Sequence, residues 1–480
     1  MKFRKITKPS NLNIVFIAIP LLGILILRFL NFDGLYGQDS YEYLRYTKAI
    51  QSYLLGGEHP GTFFWPILYP CIAAFFGFIF GSATFGLQFL SSISLSIGCI
   101  YILKTIQLLY PKQQYPFLYV LVFGLFCPFF FKMGLIVMSD VTAAMWIAIC
   151  FYYFFKSHKQ QTSLVPVFLF ATCALITRYA SLMITFPVIC YALYLAIQRK
   201  AIKQVIYAIL LSGLVFIPFL VLQWNALFEA TSNYFLKLWS PSYFFKSSYT
   251  TQDGFQSYPF PNGLYVLYVI FHPGFIFIGV PLLFVALKNY KKQIEFPQKI
   301  LGICIALYLI FLAGIPFQNP RILGLIFSLV LVFLYPYFSI LLKIHWIKKY
   351  ALPFAGLAFA LQLLFWMRTF SPIYKRTLLE KEIVSMVAPY QGKTLYSFDV
   401  DLSLQGRGMH FNYKNLYLER YTDFNTKDLV LFYPEKFEVQ WKDKNPIKNW
   451  NYIKEHYQLK TLKEDVSGWK LYEIITKKEN

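Results

Sequence analysis

Carboxylates are scarce in the first 367 residues of this 480-residue chain: eight in all, against 26 Lys and Arg. Two of the eight lie together, Asp39 and Glu42 in "GQDSYEYLRYTKAI", and a third, Asp140, opens an apolar run in "KMGLIVMSDVTAAMW". A carboxylate held near apolar walls can take the proton of a weak nucleophile such as a hydroxyl. Two arginines match them. Arg178 in "LITRYASL" interrupts two apolar half-runs, and Arg321 in "PFQNPRILG" follows a Pro-containing turn. A guanidinium at a helix start or break is suited to clamp a phosphate. Ionisable groups at membrane depth point to function. Plainer readings exist for each. Asp-x-x-Glu with Asp39 as N-cap and Glu42 at N3 is a helix cap worth about 1 kcal/mol. Asp140 can serve a helix start in the same way, and arginines can snorkel to headgroups. His59, beside Glu58 in "GGEHPGTFFWPILYP", is a lone loop histidine of a kind more often structural than a ligand.

Other chemistries lack residues. The chain has no His/Cys cluster, no CxxC, no GxSxG, no HExxH and no glycine-rich phosphate loop, which leaves nucleotide-dependent chemistry without support. The seven cysteines lie in or beside apolar segments and none falls in 368–480. They read as small packing residues, not as a disulfide framework.

The elements that must position these side chains are membrane helices. The chain is 57% hydrophobic, 20% aromatic and only 14% charged, where a soluble domain carries about a quarter charged residues. Apolar runs lie at roughly 12–30, 84–103, 115–131, 141–155, 164–176, 180–197, 205–224, 264–287, 300–316, 321–342 and 350–367. A twelfth, "FFWPILYPCIAAFFGFIF" at 63–80, carries Pro66 and Pro70 near its start. Lys104/Lys112, Lys156/Lys159, Arg199/Lys200/Lys203, Lys288/Lys291/Lys292 and Lys343/Lys348/Lys349 mark cytoplasmic loops. All five fall on one side, with Lys2, Arg4, Lys5 and Lys8, if 63–80 does not cross; an ordinary spanning helix there would require another run to fail. This predicts eleven spanning helices, a re-entrant or interfacial 63–80, a cytoplasmic N-terminus and a C-terminal region outside. Asp33, Asp39, Glu42, Glu58, Asp140, Glu229 and Asp253 then face out, and Glu295 faces in. The net charge of +22 follows the positive-inside rule and does not indicate a nucleic-acid partner.

Tyr43, Tyr46, Ile50, Tyr53 and Leu54 recur at helical spacing after Asp39, which predicts an amphipathic helix in the outer interface. Residues 225–262 form a long outer loop. The segment 368–480 holds 19 basic and 15 acidic residues and changes character. "KTLYSFDVD", "NLYLERY", "DLVLFYP" and "GWKLYEII" read as strands, with helix around 377–388. The expected fold class is a polytopic α-helical membrane protein with a small C-terminal extracytoplasmic α/β domain. Its parts are a transmembrane domain over 1–367, whose first outer loop at 31–83 carries the interfacial helices, and an outer domain over 368–480.

The ordered set "GQDSYEYLRYTKAI", "GEHPGTFFWPILYP", "MSDVTAAMWIAICFYYFFK", "LITRYASLMITFPV" and "QNPRILGLIFSLVLVFLYP" resembles the GT-C class of integral-membrane glycosyltransferases, near the protein O-mannosyltransferase and aminoarabinose transferase relatives. The likeness runs over about 12–345. Gln38-Asp39 stands where many members have Asp-Glu, and His59-Pro60-Gly61 where the family often has two prolines. The resemblance implies a polyprenyl-phosphate monosaccharide as donor and transfer on the outer face of a bacterial cytoplasmic membrane. The acceptor would be a lipid glycan, a polysaccharide or a protein. It makes Asp39, Glu42 and Asp140 the candidate catalytic residues, with Asp39 as the base of an inverting transfer. Arg178 and Arg321 become candidate phosphate ligands, and His59, Tyr179 and Gln318 candidate substrate contacts. No cofactor is certain; a divalent cation would take Asp39 and Asp140 as ligands. The alternative class is a secondary transporter or lipid flippase. It fits less well, since the acids sit at outer helix ends and the two halves do not match.

Overall fold

In the computed structural model, the chain is described at residues 9–229, 237–251, 254–289, 295–344 and 349–478. Lys2, Arg4, Lys5, Lys8, Asp253, Lys291, Lys292 and Lys348 lie outside the described residues. Every one of the eleven apolar runs is helical: α1 (Pro9–Phe29), α4 (Ala83–Leu109), α5 (Pro116–Tyr119) with α6 (Pro128–Leu135), α7 (Asp140–Gln160), α8 (Val165–Leu175), α9 (Ser181–Gln198), α10 (Ile202–Glu229), α11 (Ile276–Asn289), α12 (Phe296–Ala313), α13 (Pro320–Leu341) and α14 (Ala351–Val387). Between the first two lie α2 (Gly37–Leu54) and α3 (Leu68–Phe80).

Among the described residues, six helices are long and apolar enough to cross a membrane. A seventh crossing is available if α5 and α6 count as one broken span, bent by 67°. Eleven simple crossings were expected, and the difference has local causes. The α5–α6 run unwinds into a π-helical turn at Val120–Leu125 and restarts at Pro128, where proline has no amide hydrogen to offer the preceding turn. The run at 264–287 is likewise interrupted. Two short turns at Asn262–Tyr265 and Tyr268–Phe271 end at His272–Pro273–Gly274, and only the 14-residue α11 follows. α8 has only 11 residues, about 17 Å of helix against a hydrocarbon core of about 30 Å, and α3, the segment expected not to cross, has 13.

The chain divides into two compact units. The first takes in the residues up to Gly34, Tyr46–Phe245 and Phe260–Phe370. At its centre are α4 and α7. α3 lies against α4 where two glycines meet: a Cβ on Gly86 would come within 2.6 Å of the Gly77 amide nitrogen. Small residues permit such close helix crossings in membranes. α4 also carries a buried polar stripe of Gln88, Ser91, Ser92, Ser94 and Ser96. Buried polar groups need partners, and much of this stripe finds them in the segment that leads into α7.

The second unit comprises Leu35–Arg45, Lys246–Pro259 and Ser371–Asn480. It holds a five-stranded sheet in the order β4-β3-β5-β7-β6: β3 (Thr394–Ser397), β4 (Asn412–Asn415), β5 (Leu429–Phe432), β6 (Tyr457–Glu464) and β7 (Lys470–Lys477). A separate hairpin pairs β1 (Ser248–Thr251) with β2 (Gly254–Ser257). β4, β3 and β5 run parallel, while β7 is antiparallel to β5 and to β6. Leu395, Leu429–Phe432, Leu471 and Trp469 form the core together with helix α17 (Asn445–His456), through Trp450 and Ile453. Two short helices complete it, α15 (Asp401–Gly406) and α16 (Pro434–Gln440).

Two expectations are corrected here. "NLYLERY" is not a strand: β4 ends at Asn415, whose side-chain oxygen accepts the amides of Tyr417 and Leu418 and turns the chain. The membrane run ending at 367 and the helix around 377–388 are one helix, α14, of 37 residues. Pro372 lies inside it without ending it.

Candidate functional site

Asp140 is the first residue of α7 and its side chain is 0% exposed. The segment before it is pinned by the polar stripe of α4. Gln88 donates to the Leu135 carbonyl at 3.0 Å, Ser91 donates to the Met138 carbonyl at 3.3 Å, and Ser94 shares a hydrogen bond with Thr142 at 2.9 Å. Tyr69 of α3 bonds Ser91 in turn, at 2.8 Å. Asp140 therefore starts its helix in a fixed place.

Arg178 and Arg321 converge on it. Arg178 Nη2 lies 2.6 Å from Asp140 Oδ1, and Arg321 Nε lies 3.3 Å from Oδ2. Arg178 sits in the break between α8 and α9, its amide bonded to the Ala174 carbonyl and its own carbonyl to the Ser181 amide. Arg321 is in the first turn of α13, after Pro320, where the Asn319 side chain accepts its amide at 3.1 Å. A second contact runs from Arg321 Nη1 to the Met138 sulfur at 3.0 Å. Tyr308 of α12 fixes that turn by donating to the Ile322 carbonyl at 3.0 Å. The site is thus built from three helix starts or breaks and the helices that hold them.

Two residues of this neighbourhood escaped the sequence reading. Lys132 of α6 is half-buried and near enough to Arg321 for their charges to interact. Buried Tyr308 feels the charges of Asp140 and Arg178. Lys132 had a signal, since a lysine inside "FFFKMGL" is itself an ionisable group in an apolar run. Tyr308 had none. Three cations and one carboxylate leave these four groups with a net charge of +2, a setting for an anion.

Asp39 is half-buried in the first turn of α2, within the second unit. The expected cap is displaced. α2 starts at Gly37, whose φ of +65° turns the chain into the helix, so Asp39 is inside the first turn and not at the N-cap. Glu42 does not complete a capping box, because its carboxylate pairs with Arg45 at 2.8 Å on the exposed side. Such a pair is worth about 0.5 kcal/mol or less. His59 is exposed, accepts the Gly61 amide at 3.1 Å and stands edge-on to Tyr53, the local role of a loop histidine. Tyr179 adjoins Arg178 in the same turn, half-buried. Gln318 donates to the Phe260 carbonyl at 2.6 Å. Among the described residues, no three His, Cys, Asp or Glu side chains gather as a metal site.

Residues 64–224 match the family model of dolichyl-phosphate-mannose-protein mannosyltransferase. The fold is similar to two solved structures of ArnT from Cupriavidus metallidurans. The one bound to undecaprenyl phosphate is 13% identical, with a TM-score of 0.58 over 97% of this chain and 98% of that one. The apo form is 11% identical, with a TM-score of 0.59 over 96% and 98%. The Archaeoglobus fulgidus oligosaccharyltransferase in complex with Zn and sulfate is 13% identical, with a TM-score of 0.54 over 95% of this chain and 73% of that one. No curated protein matches the sequence.

Proposed function

We propose that this chain is a membrane glycosyltransferase of the GT-C class that transfers a monosaccharide from a polyprenyl-phosphate carrier to an acceptor hydroxyl. The observation that carries this reading is the buried Asp140 bridged by Arg178 and Arg321, with Lys132 beside them. A buried ion pair is a poor source of stability, so a second guanidinium on one carboxylate asks for another reason. Asp140 holds the two guanidiniums in place and leaves excess positive charge for a ligand. The similar fold of ArnT, solved with undecaprenyl phosphate, supports a lipid phosphate as that ligand.

The charge balance suits the chemistry. A sugar phosphodiester carries one negative charge, and the phosphate monoester that leaves carries about −1.5 to −2 at neutral pH. A +2 site therefore favours the departing phosphate over the bound donor, which is the condition for rate acceleration. The acceptor oxygen attacks the anomeric carbon as the carbon–phosphate-oxygen bond breaks. Asp39 takes the acceptor's proton and later returns it to water. Attack from the face opposite the phosphate inverts the anomeric centre. Glu42, paired with Arg45, holds the exposed side of α2. Tyr179 and Gln318 flank the two arginines in sequence and are assigned to the donor, and His59 to the acceptor side. The acceptor is a hydroxyl of a lipid glycan, a polysaccharide or a protein. The reaction is assigned to the outer face, with the N-terminus in the cytoplasm.

A divalent cation does not fit at Asp140, whose two oxygens already face guanidinium groups. An added dication there would meet three positive charges, so no step is assigned to a metal.

Undecaprenyl phosphate titrated into the purified full-length protein tests the reading. Arg178→Gln and Arg321→Gln should each weaken binding about tenfold, since a charge-assisted bond contributes roughly 1.5–3 kcal/mol. Unchanged affinity in both variants would overturn the assignment.

A further inference from the structure

The second unit contains a buried ionic joint that the proposed reaction does not use. Tyr41 of α2 is 1% exposed, and its hydroxyl donates to the Glu380 carboxylate, itself 1% exposed. Arg376 Nε, one turn earlier on α14, lies 2.8 Å from the other Glu380 oxygen. Arg407, just after α15, approaches Glu380 at 3.8 Å and places its guanidinium 5.5 Å from the centre of the Tyr41 ring. The ring is enclosed on one edge by Gly406, where an added Cβ would come within 2.6 Å of Tyr41 Cδ1. Thr377 of α14 donates to the Leu35 carbonyl at 2.9 Å, just ahead of α2. Arg376 continues to Asp399, bonding its carbonyl at 2.9 Å and its carboxylate at 3.3 Å.

Apolar packing would have held α2 here at less cost, since burying Glu380 with two guanidiniums incurs desolvation. What directional bonds add is a fixed rotation of the helix. Residues two apart on a helix project roughly 200° from one another. A Tyr41 ring locked in azimuth by one charge-assisted hydrogen bond therefore fixes the direction in which Asp39 projects. We propose that Tyr41 and Glu380 are positioning residues for Asp39, through which the C-terminal region sets the aim of the catalytic base. This rests on the reading of Asp39 as that base. Arg376 and Arg407 hold Glu380, and Gly406 leaves room for the ring.

The test uses the full-length enzyme and the polyprenyl-phosphate monosaccharide that it turns over best from a panel of hexoses and pentoses. The readout is release of the lipid phosphate. Tyr41→Phe deletes one hydroxyl and keeps the ring. It should lower kcat about tenfold or more, as small misplacements of reacting groups do, and leave the donor KM within about twofold. Gly406→Ala, which pushes the ring from its other side, should do the same. Amide exchange over residues 37–45 should speed up in both, while undecaprenyl phosphate affinity stays at the parent value. Glu380→Gln replaces the charge-assisted bond by a weaker neutral one and should lower kcat by a smaller factor. Asp39→Asn separates the two readings. If Asp39→Asn keeps the parent kcat, the base assignment falls and takes this proposal with it. If Asp39→Asn abolishes turnover while Tyr41→Phe and Glu380→Gln keep the parent kcat, the base stands and the positioning role is overturned.

Discussion

The type of Asp140, its place at a helix start and its apolar surroundings were visible in the sequence, and so were Arg178 and Arg321. Their meeting on one carboxylate was not, because nothing in local spacing brings a break between α8 and α9 to the starts of α7 and α13. Lys132 was within reach of the same argument and was passed over in an apolar run. The opposite case is Asp401, at the start of α15. Burial raises its pKa above the usual carboxylate range, against the opposing hydrogen bonds from the Asn415 side chain and the amides of Asp401 and Leu402. The folded state thus holds this proton more tightly than the unfolded chain. Its contribution to stability is complete below the unfolded carboxylate value near 3.9, and is lost as pH rises toward the raised folded value. Asp401→Asn keeps an oxygen for Asn415 and carries no charge to desolvate. It should raise the thermal midpoint at about pH 7, and the gain should shrink toward pH 4. An equal gain at both pH values would show that charge is not the cause.

Helices with clear hydropathy were legible as elements, and the interruptions within them were less so. Proline explains the restart at Pro128, yet Pro372 sits unbroken inside α14. The same residue type therefore opens one helix, in whose first turn an amide hydrogen is not needed, and lies within another. For α2 the period was right and the start was wrong, since Gly37 admits the turn that begins the helix earlier. That shift moves Asp39 out of a capping role and into the helix body, and it puts Tyr41 into the joint with Glu380. The placement of α3 on α4 depends on absent side chains, which hydropathy does not report. With Gly77 only 2.6 Å from any Cβ at Gly86, Gly86→Ala must separate the two backbones. The expected cost is about 1–3 kcal/mol, the range for overpacking a tight interface. Because Tyr69 of α3 bonds Ser91 beside the Asp140 segment, undecaprenyl phosphate binding should weaken as well. A thermal midpoint and an affinity both at parent values would show that the crossing tolerates a methyl group.

At the scale of the molecule, the fold class was legible and the number of crossings was not. Length is the reason: α8 and α11 are apolar but short, so hydropathy marks them as membrane material without saying whether they cross. Sidedness has to be argued from charge. Lys104/Lys112, Lys156/Lys159 and Arg199/Lys200/Lys203 each close a helix or follow one, as cytoplasmic loops do. The near-balanced residues 368–480, with 19 basic and 15 acidic side chains, give no such bias. The basic loops are the argument for the proposed orientation, in which the C-terminal region is on the outer side. Single cysteines placed at Lys112, Lys200 and Lys454 in a background without the seven native ones test this directly. A membrane-impermeant maleimide added to intact cells should label position 454, and should reach 112 and 200 only after permeabilisation. Labelling of 112 and 200 in intact cells, with 454 protected, would invert the orientation. The proposed phosphate site would then face the cytoplasm, and the assignment of the reaction to the outer face would fall.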